Sequence, residues 1–209
     1  MRGKRGPGYL VALAAVFASA IFFTATANAQ TAASDLHYKR GLAHLKQDDT
    51  DRAFVEFNEA IRIDPRNAKA YVGRGSVRFD GGSMADYDQA IDLDPDNLEA
   101  YARRGFLYNL QGDQLAALSD YNEVIRLDPK DAEILSQRAG IQADIGNYTE
   151  AIRGYDESIR LKPSMAKLWF ARAEFHHFRG DLKQRDADFA QAFRLDPGLR
   201  HYASPYLGK

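Results

Sequence analysis

In a chain with no cysteine, histidine and carboxylate are the side chains from which a metal or acid–base site would be built. The five histidines are His37, His44, His176, His177 and His201. Metal ligation needs several donors at tight, characteristic spacing, and none of these histidines forms such a cluster. The 29 Asp and Glu residues recur on polar faces and converge on no common point. There is no glycine-rich phosphate loop and no strained serine elbow. Zero Cys excludes disulfides, thiol nucleophiles and cysteine-based metal centres. The expectation is therefore no catalytic residue, no metal and no cofactor.

Arginine carries the one regular charged pattern. Arg40, Arg74, Arg104, Arg138 and Arg172 stand 34, 30, 34 and 34 residues apart. Acids recur behind them at Glu56, Asp86, Asp120 and Asp188, with Gly154 in the fourth place. Two chemistries are open. Each arginine can lay its stem in a helix interface and pair with an acid on the neighbouring helix. Alternatively, the arginines can line a groove that binds anions.

The elements that position them repeat as well. The phrase EAIRIDP at 59–65 returns as QAIDLDP (89–95), EVIRLDP (123–129), ESIRLKP (157–163) and QAFRLDP (191–197). Its prolines, Pro65, Pro95, Pro129, Pro163 and Pro197, are spaced 30, 34, 34 and 34 residues apart. A fixed period of this size means a repeat array. In the third unit, Tyr101, Gly105 and Tyr108 fall at helical spacing before Gly112, as do Ala117, Leu118, Tyr121, Val124 and Ile125 after it. Gly112 suits a helix end and Asp113 the next N-cap. Proline disfavours helix in the residue before it and so stops the second helix. Each unit reads as helix, turn, helix, stop.

This pattern resembles the tetratricopeptide repeat family. Its aromatic, small, alanine, aromatic and proline positions fall on Tyr101, Gly105, Ala117, Tyr121 and Pro129, and in register in the other units. The resemblance implies an all-α, right-handed superhelix (an α-solenoid) of about five helix-turn-helix repeats. Expected boundaries are 34–67, 68–97, 98–131, 132–165 and 166–197. Gly41, Gly75 and Gly105, with Ala53, Ala117 and Ala151, are the close-packing positions. The isoleucines of the phrase (Ile61, Ile91, Ile125, Ile159, and Phe193 in the last) are expected to bury. The second unit lacks four residues, which predicts a short helix from Ser83 and either a mobile notch at Gly81–Gly82 or a harmless deletion.

In this family the first helix of each pair lines a concave surface that takes an extended peptide. Carried over by position, the groove is Tyr38, Leu42 and Leu45, Val72 and Phe79, Phe106 and Asn109, and Phe170 and His177. Ser76, Ala102, Ser136, Gly140, Ala143 and Glu174 fill the remaining lining positions. The implied partner is a protein or peptide. The rival roles are a self-associating scaffold, joined through the C-terminal repeat as a homo-oligomer, and a non-catalytic regulatory subunit of an envelope enzyme.

The ends set the compartment. Residues 1–29 carry Arg2, Lys4 and Arg5, an apolar run from Leu10 to Phe23, and small residues at Ala27 and Ala29. That is the layout of a secretory signal peptide. The apolar run of 14 residues spans roughly 21 Å as a helix, short of the ~30 Å hydrocarbon layer. Cleavage after Ala29 is expected, with a short linker at 30–33 and a bacterial periplasmic or secreted location without a membrane anchor. Taking Arg2, Lys4 and Arg5 from the 28 Lys+Arg leaves 25 against 29 Asp+Glu, about −4. A mildly acidic chain does not suit nucleic acid, whose backbone selects a basic face.

Arg179-Gly180-Asp181 and Asn147-Tyr148-Thr149 spell an adhesion tripeptide and a glycosylation acceptor. Both fall in inter-helix turns, and both are read as turns. Arg185 stands where the last unit should carry a small residue, which predicts a loosened final pair. The tail, 198–209, is interrupted by Pro205 and too short for a good capping helix: either it covers Phe189 and Phe193 as a partial cap with Leu199, Tyr202 and Tyr206, or it leaves them to a partner or a second copy.

Overall fold

The computed structural model describes residues 26, 28–78 and 81–207. The segment expected as a signal peptide lies, apart from Thr26, Asn28 and Ala29, outside the described residues. Residues 30–33, expected as a linker, are instead helical and continuous with α1, a helix over 28–45. The following helices are α2 (Thr50–Ile63), α3 (Ala68–Val77), α4 (Ser83–Leu93), α5 (Leu98–Leu110), α6 (Gln114–Leu127), α7 (Ala132–Asp144), α8 (Tyr148–Leu161), α9 (Ala166–Arg179) and α10 (Leu182–Leu195). A 3-10 turn, Pro197–Ala203, leads into the short α11 (Ser204–Leu207). The described chain is all helical, in consecutive pairs. It forms two compact units, one through Pro95 and one from Asp96.

Each helix starts and stops for a local reason. Asp49, Asn67, Asn97, Asp113 and Asp131 cap α2, α3, α5, α6 and α7, each accepting from a backbone N–H two or three residues on. At the C-termini, Asp64, Asp128 and Asp196 adopt extended backbone before proline. Each also accepts from the N–H two residues later, at 2.9–3.0 Å. The Asp-Pro of the repeated phrase thus both ends a helix and closes an Asx turn. Gly112, Gly146 and Gly180 take positive φ (80°, 84° and 83°) in the inter-helix turns. In the first pair Asp48 does so at 57°, without glycine's freedom.

In unit one, Ala53, Phe57 and Val77 form a core on which Tyr38, Leu45 and Phe54 pack. A Cβ on Gly41 or Gly73 would stand 2.5 Å from the Phe57 ring, so both helices reach that ring only as glycine. Ser34 Oγ donates to Ala60 O at 2.8 Å and ties α1 to α2. The short α4 begins at Ser83, as the deletion predicts. At the glycine pair the Arg78 guanidinium lies against Gly82 and pairs with Asp86 at 3.3 Å, while the space about Gly81 is open.

In unit two, Ala117, Leu118, Tyr121, Val124, Ile134 and Ile141 form the first core cluster. Ala139, Tyr155, Ile159 and Leu168 form the next. Ala173, Phe189 and Ala203 form the last. Gly105 lets α5 sit on Tyr121, where a Cβ would meet the ring at 2.9 Å. The fourth pair reverses this arrangement. Its first helix carries Ala139, and a Cβ on Gly154 of α8 would lie 2.8 Å from it.

The phrase buries a different position from the one expected. Among its isoleucines and Phe193, Ile159 is buried while Ile61, Ile91, Ile125 and Phe193 stay half-buried. The second residue of the phrase is sealed instead: Ala60, Ala90, Val124, Ser158 and Ala192. That position, three residues after the aromatic, points straight into the pair interface.

Candidate functional site

Three of the five arginines are structural, while Arg40 is exposed and its expected acid, Glu56, pairs elsewhere. Arg74 holds Asp86 at 2.5 Å, Arg104 holds Asp120 at 2.8 Å and Arg172 holds Asp188 at 2.6 Å. All three contacts are two-pronged, the geometry that a planar guanidinium makes best. The acids are buried. Arg74 lies over Tyr71, Arg104 over Tyr101 and Arg172 over Trp169, at 5.0–5.6 Å from the ring centroids. A second arm reaches back sixteen residues to Asn58 from Arg74, Asn122 from Arg138 and Asp156 from Arg172. Burial works to lower the Arg172 pKa, but hydrogen bonds and charge from Asp188 and Asp156 prevail and raise it. In the first pair, Glu56 pairs with His37 at 2.7 Å. The guanidinium groups of Arg74, Arg104 and Arg172 are committed to carboxylates, so these three do not form an anion groove.

The groove positions divide. Phe106, on α5, is 50 % exposed, and Leu42 on α1 is 36 % exposed. Asn109 is half-buried. Tyr38 and Leu45 belong to the first core, Tyr38 with its ring 5.9 Å from Phe57. Val72 is 3 % exposed and so cannot line a surface. It sits on α3, which packs against both α2 and α4 and buries residues on more than one face. Phe79 lies outside the described residues. Phe170 stands edge-on to Phe189 at 5.1 Å, and His177 meets Tyr206 at 5.4 Å.

At the C-terminal end the covering alternative holds through Tyr206, while Tyr202 is exposed. The tail caps the last pair. Ala203 is fully buried, and Tyr206 packs on Phe189, Phe178 and His177. Arg185 does not loosen the pair. It reaches out to donate to the Tyr206 carbonyl at 2.8 Å. Glu174 faces the Tyr206 hydroxyl. Burial pushes the Glu174 carboxyl up, and the Tyr206 hydroxyl only partly offsets this. The same pairing, with burial and the Glu174 charge, pushes Tyr206 up to about 12. The repeat period marks Arg185, one period after Ala151, but it carries no information on the tail residue that Arg185 meets, because Tyr206 lies beyond the last repeat.

The two motif triplets are turns. Gly180 ends α9 in the left-handed conformation, and Asp181 folds back on Arg179 Nε at 2.5 Å. Asn147 sits at the start of α8 and donates to Gln142 at 2.9 Å.

The tetratricopeptide repeat family matches residues 34–67 and again 86–119. This is a tetratricopeptide repeat protein. Repeats of this family are protein-binding modules, generally without catalysis. The repeat protein matches no curated protein. Solved structures give its fold. MamA from Desulfovibrio magneticus aligns at a TM-score of 0.71 and 16% identity, over 79% of this chain and 96% of that one. YrrB, described as a TPR protein with an unusual peptide-binding site, aligns at 0.66 and 16% identity, over 77% and 85%. A tetratricopeptide repeat protein from Parabacteroides merdae aligns at 0.68 and 19% identity, over 79% and 67%. Among the described residues, no three metal-ligating side chains gather, and no helix is long and apolar enough to cross a membrane.

Proposed function

We propose that this protein is an exported adapter that takes an extended, partly apolar peptide segment of an envelope partner on the first-helix face of its repeats. The observation that carries the reading is Phe106. A large aromatic on the first helix of its pair stays half in water, while Tyr121 on the second helix is sealed. Exposed aromatic surface of this kind marks interaction sites. Leu42 presents an apolar side chain at the corresponding face of the first pair. The basic, apolar and small-residue succession over 1–29 supports export and cleavage after Ala29.

The test is site-specific photo-crosslinking from position 106 in living cells, with mass spectrometry of the product. A discrete adduct with one envelope protein is expected. An adduct only with a second copy would replace the adapter by a self-assembling scaffold. No adduct at all would withdraw the face. Recovery of the chain beginning at Met1 rather than Gln30 would refute cleavage.

A further inference from the structure

The tail treats the last pair as a partner would. We propose that the surface beneath Tyr206 is a subsite for a tyrosine-bearing peptide segment, held shut in the free protein by the chain's own tail. This rests on the adapter reading and assigns that face's last repeat its ligand chemistry. Three positions that the family carry-over assigns to peptide binding, Phe170, Glu174 and His177, all lie at this surface. His177 and Glu174 touch Tyr206 directly, and Phe170 shares its cluster.

The complement is defined atom by atom. The ring of Tyr206 lies between His177 at 5.4 Å, Phe189 at 5.9 Å and Phe178 at 6.1 Å. Its hydroxyl faces the Glu174 carboxylate, which raises the hydroxyl's pKa. Its backbone carbonyl accepts from Arg185 Nη1 at 2.8 Å. A phenylalanine in this place would leave the Glu174 carboxylate without that hydroxyl. A phosphotyrosine would set like charge against it. The frame therefore selects an unmodified tyrosine together with the main chain that carries it.

The plug is built to yield. Residues 204–207 form a single helical turn, too short to hold itself without tertiary contact. Its neighbour Tyr202 points to solvent. An intramolecular plug of this kind competes at an effective concentration of about a millimolar, so it shuts out weak ligands and gives way to a matching one.

The probe is a fluorescein-labelled peptide, PGLRHYASPYLGK, the sequence of 197–209, titrated by anisotropy against the purified full chain. Binding to Tyr206→Ala is expected at least about tenfold tighter than to the unaltered protein, because the plug is weakened. Replacing the second tyrosine of the peptide by phenylalanine weakens binding about tenfold, and alanine or phosphotyrosine there abolishes it. Glu174→Gln in the Tyr206→Ala background keeps binding, while Arg185→Met weakens it. Equal affinity for both proteins, or no binding to a Tyr206→Ala chain of unchanged helicity, would overturn the proposal. Should Tyr206→Ala not fold, hydrogen exchange on the unaltered chain decides. Saturating peptide is expected to speed exchange over 199–206, and unchanged exchange there refutes displacement. Because the peptide experiment uses no cellular partner and reports on α9 and α10, its failure leaves the crosslinking result at α5 standing, and the reverse.

Discussion

Arg104→Met separates a structural arginine from a ligand-binding one. In the native pair, Nε and Nη2 of Arg104 donate to Asp120 at 2.9 and 2.8 Å, and Asp120 is 3 % exposed. Methionine keeps the apolar stem and removes both donors. The carboxylate must then stay charged in a dry interface or take up a proton. Breaking one partner of such a pair costs about 3–5 kcal/mol. For a chain of this size each kcal/mol lowers Tm by about 2–4 °C, so a fall of roughly 6–20 °C is expected. Arg104→Met/Asp120→Leu removes both charges and should return to within about 1 kcal/mol of the parent. Circular-dichroism melts of the three proteins at pH 7 measure both effects. A single variant that melts within a degree or two of the parent at pH 7, or a double variant as weak as the single, would refute the reasoning.

Other perturbations follow from particular contacts. Gly73→Ala places a Cβ 2.5 Å from the Phe57 ring and should cost about 1–3 kcal/mol in urea unfolding. Gly140→Ala meets nothing nearer than Tyr155 Oη at 3.6 Å, so it should instead stabilise α7 by up to about 1 kcal/mol. Asp48→Gly relieves a positive φ of 57° and should raise stability by a few tenths to about 1 kcal/mol, read as a Tm increase. Glu174→Gln should stabilise at neutral pH. Burial raises the folded-state pKa of Glu174, so its contribution is fully present below the ordinary glutamate range and is lost as pH rises through the raised value. The difference between variant and parent melts should therefore close on acidification, and a constant difference would contradict it.

The helix pairs and their ends were legible because each rests on local chemistry. Asp113 caps, Gly112 turns and Pro129 stops, and none of these needs a distant partner. The arginine–acid pairs were also legible, since Arg104 and Asp120 recur at fixed offsets in other units. What resisted was any feature set by how many neighbours surround a helix. Val72 has the same type and heptad place as a surface residue, yet α3 has a helix on either side. Phe106, at the place of Ser76 one turn further along its own helix, stayed exposed. The deep position of the phrase fell to Ala60 and its equivalents, because the small residue marks where helices touch and the larger isoleucine sits beside the contact. The Arg185–Tyr206 contact escaped because Arg185 lies on the period but Tyr206 lies beyond the last repeat.

The two arms of Arg172 differ in a way that bears on mechanics. One grips Asp188, whose side chain is 6 % exposed, and the other holds Asp156, which is 54 % exposed, both at 2.6 Å. Dissolved ions screen the outer contact and scarcely reach the inner one. The side chain is thus a strut clamped at α10 and hinged at α8. Rising ionic strength frees the hinge and leaves the clamp, so successive pairs gain play against each other while each pair stays folded. Within this unit, compliance is set by salt at a threshold well below that for melting.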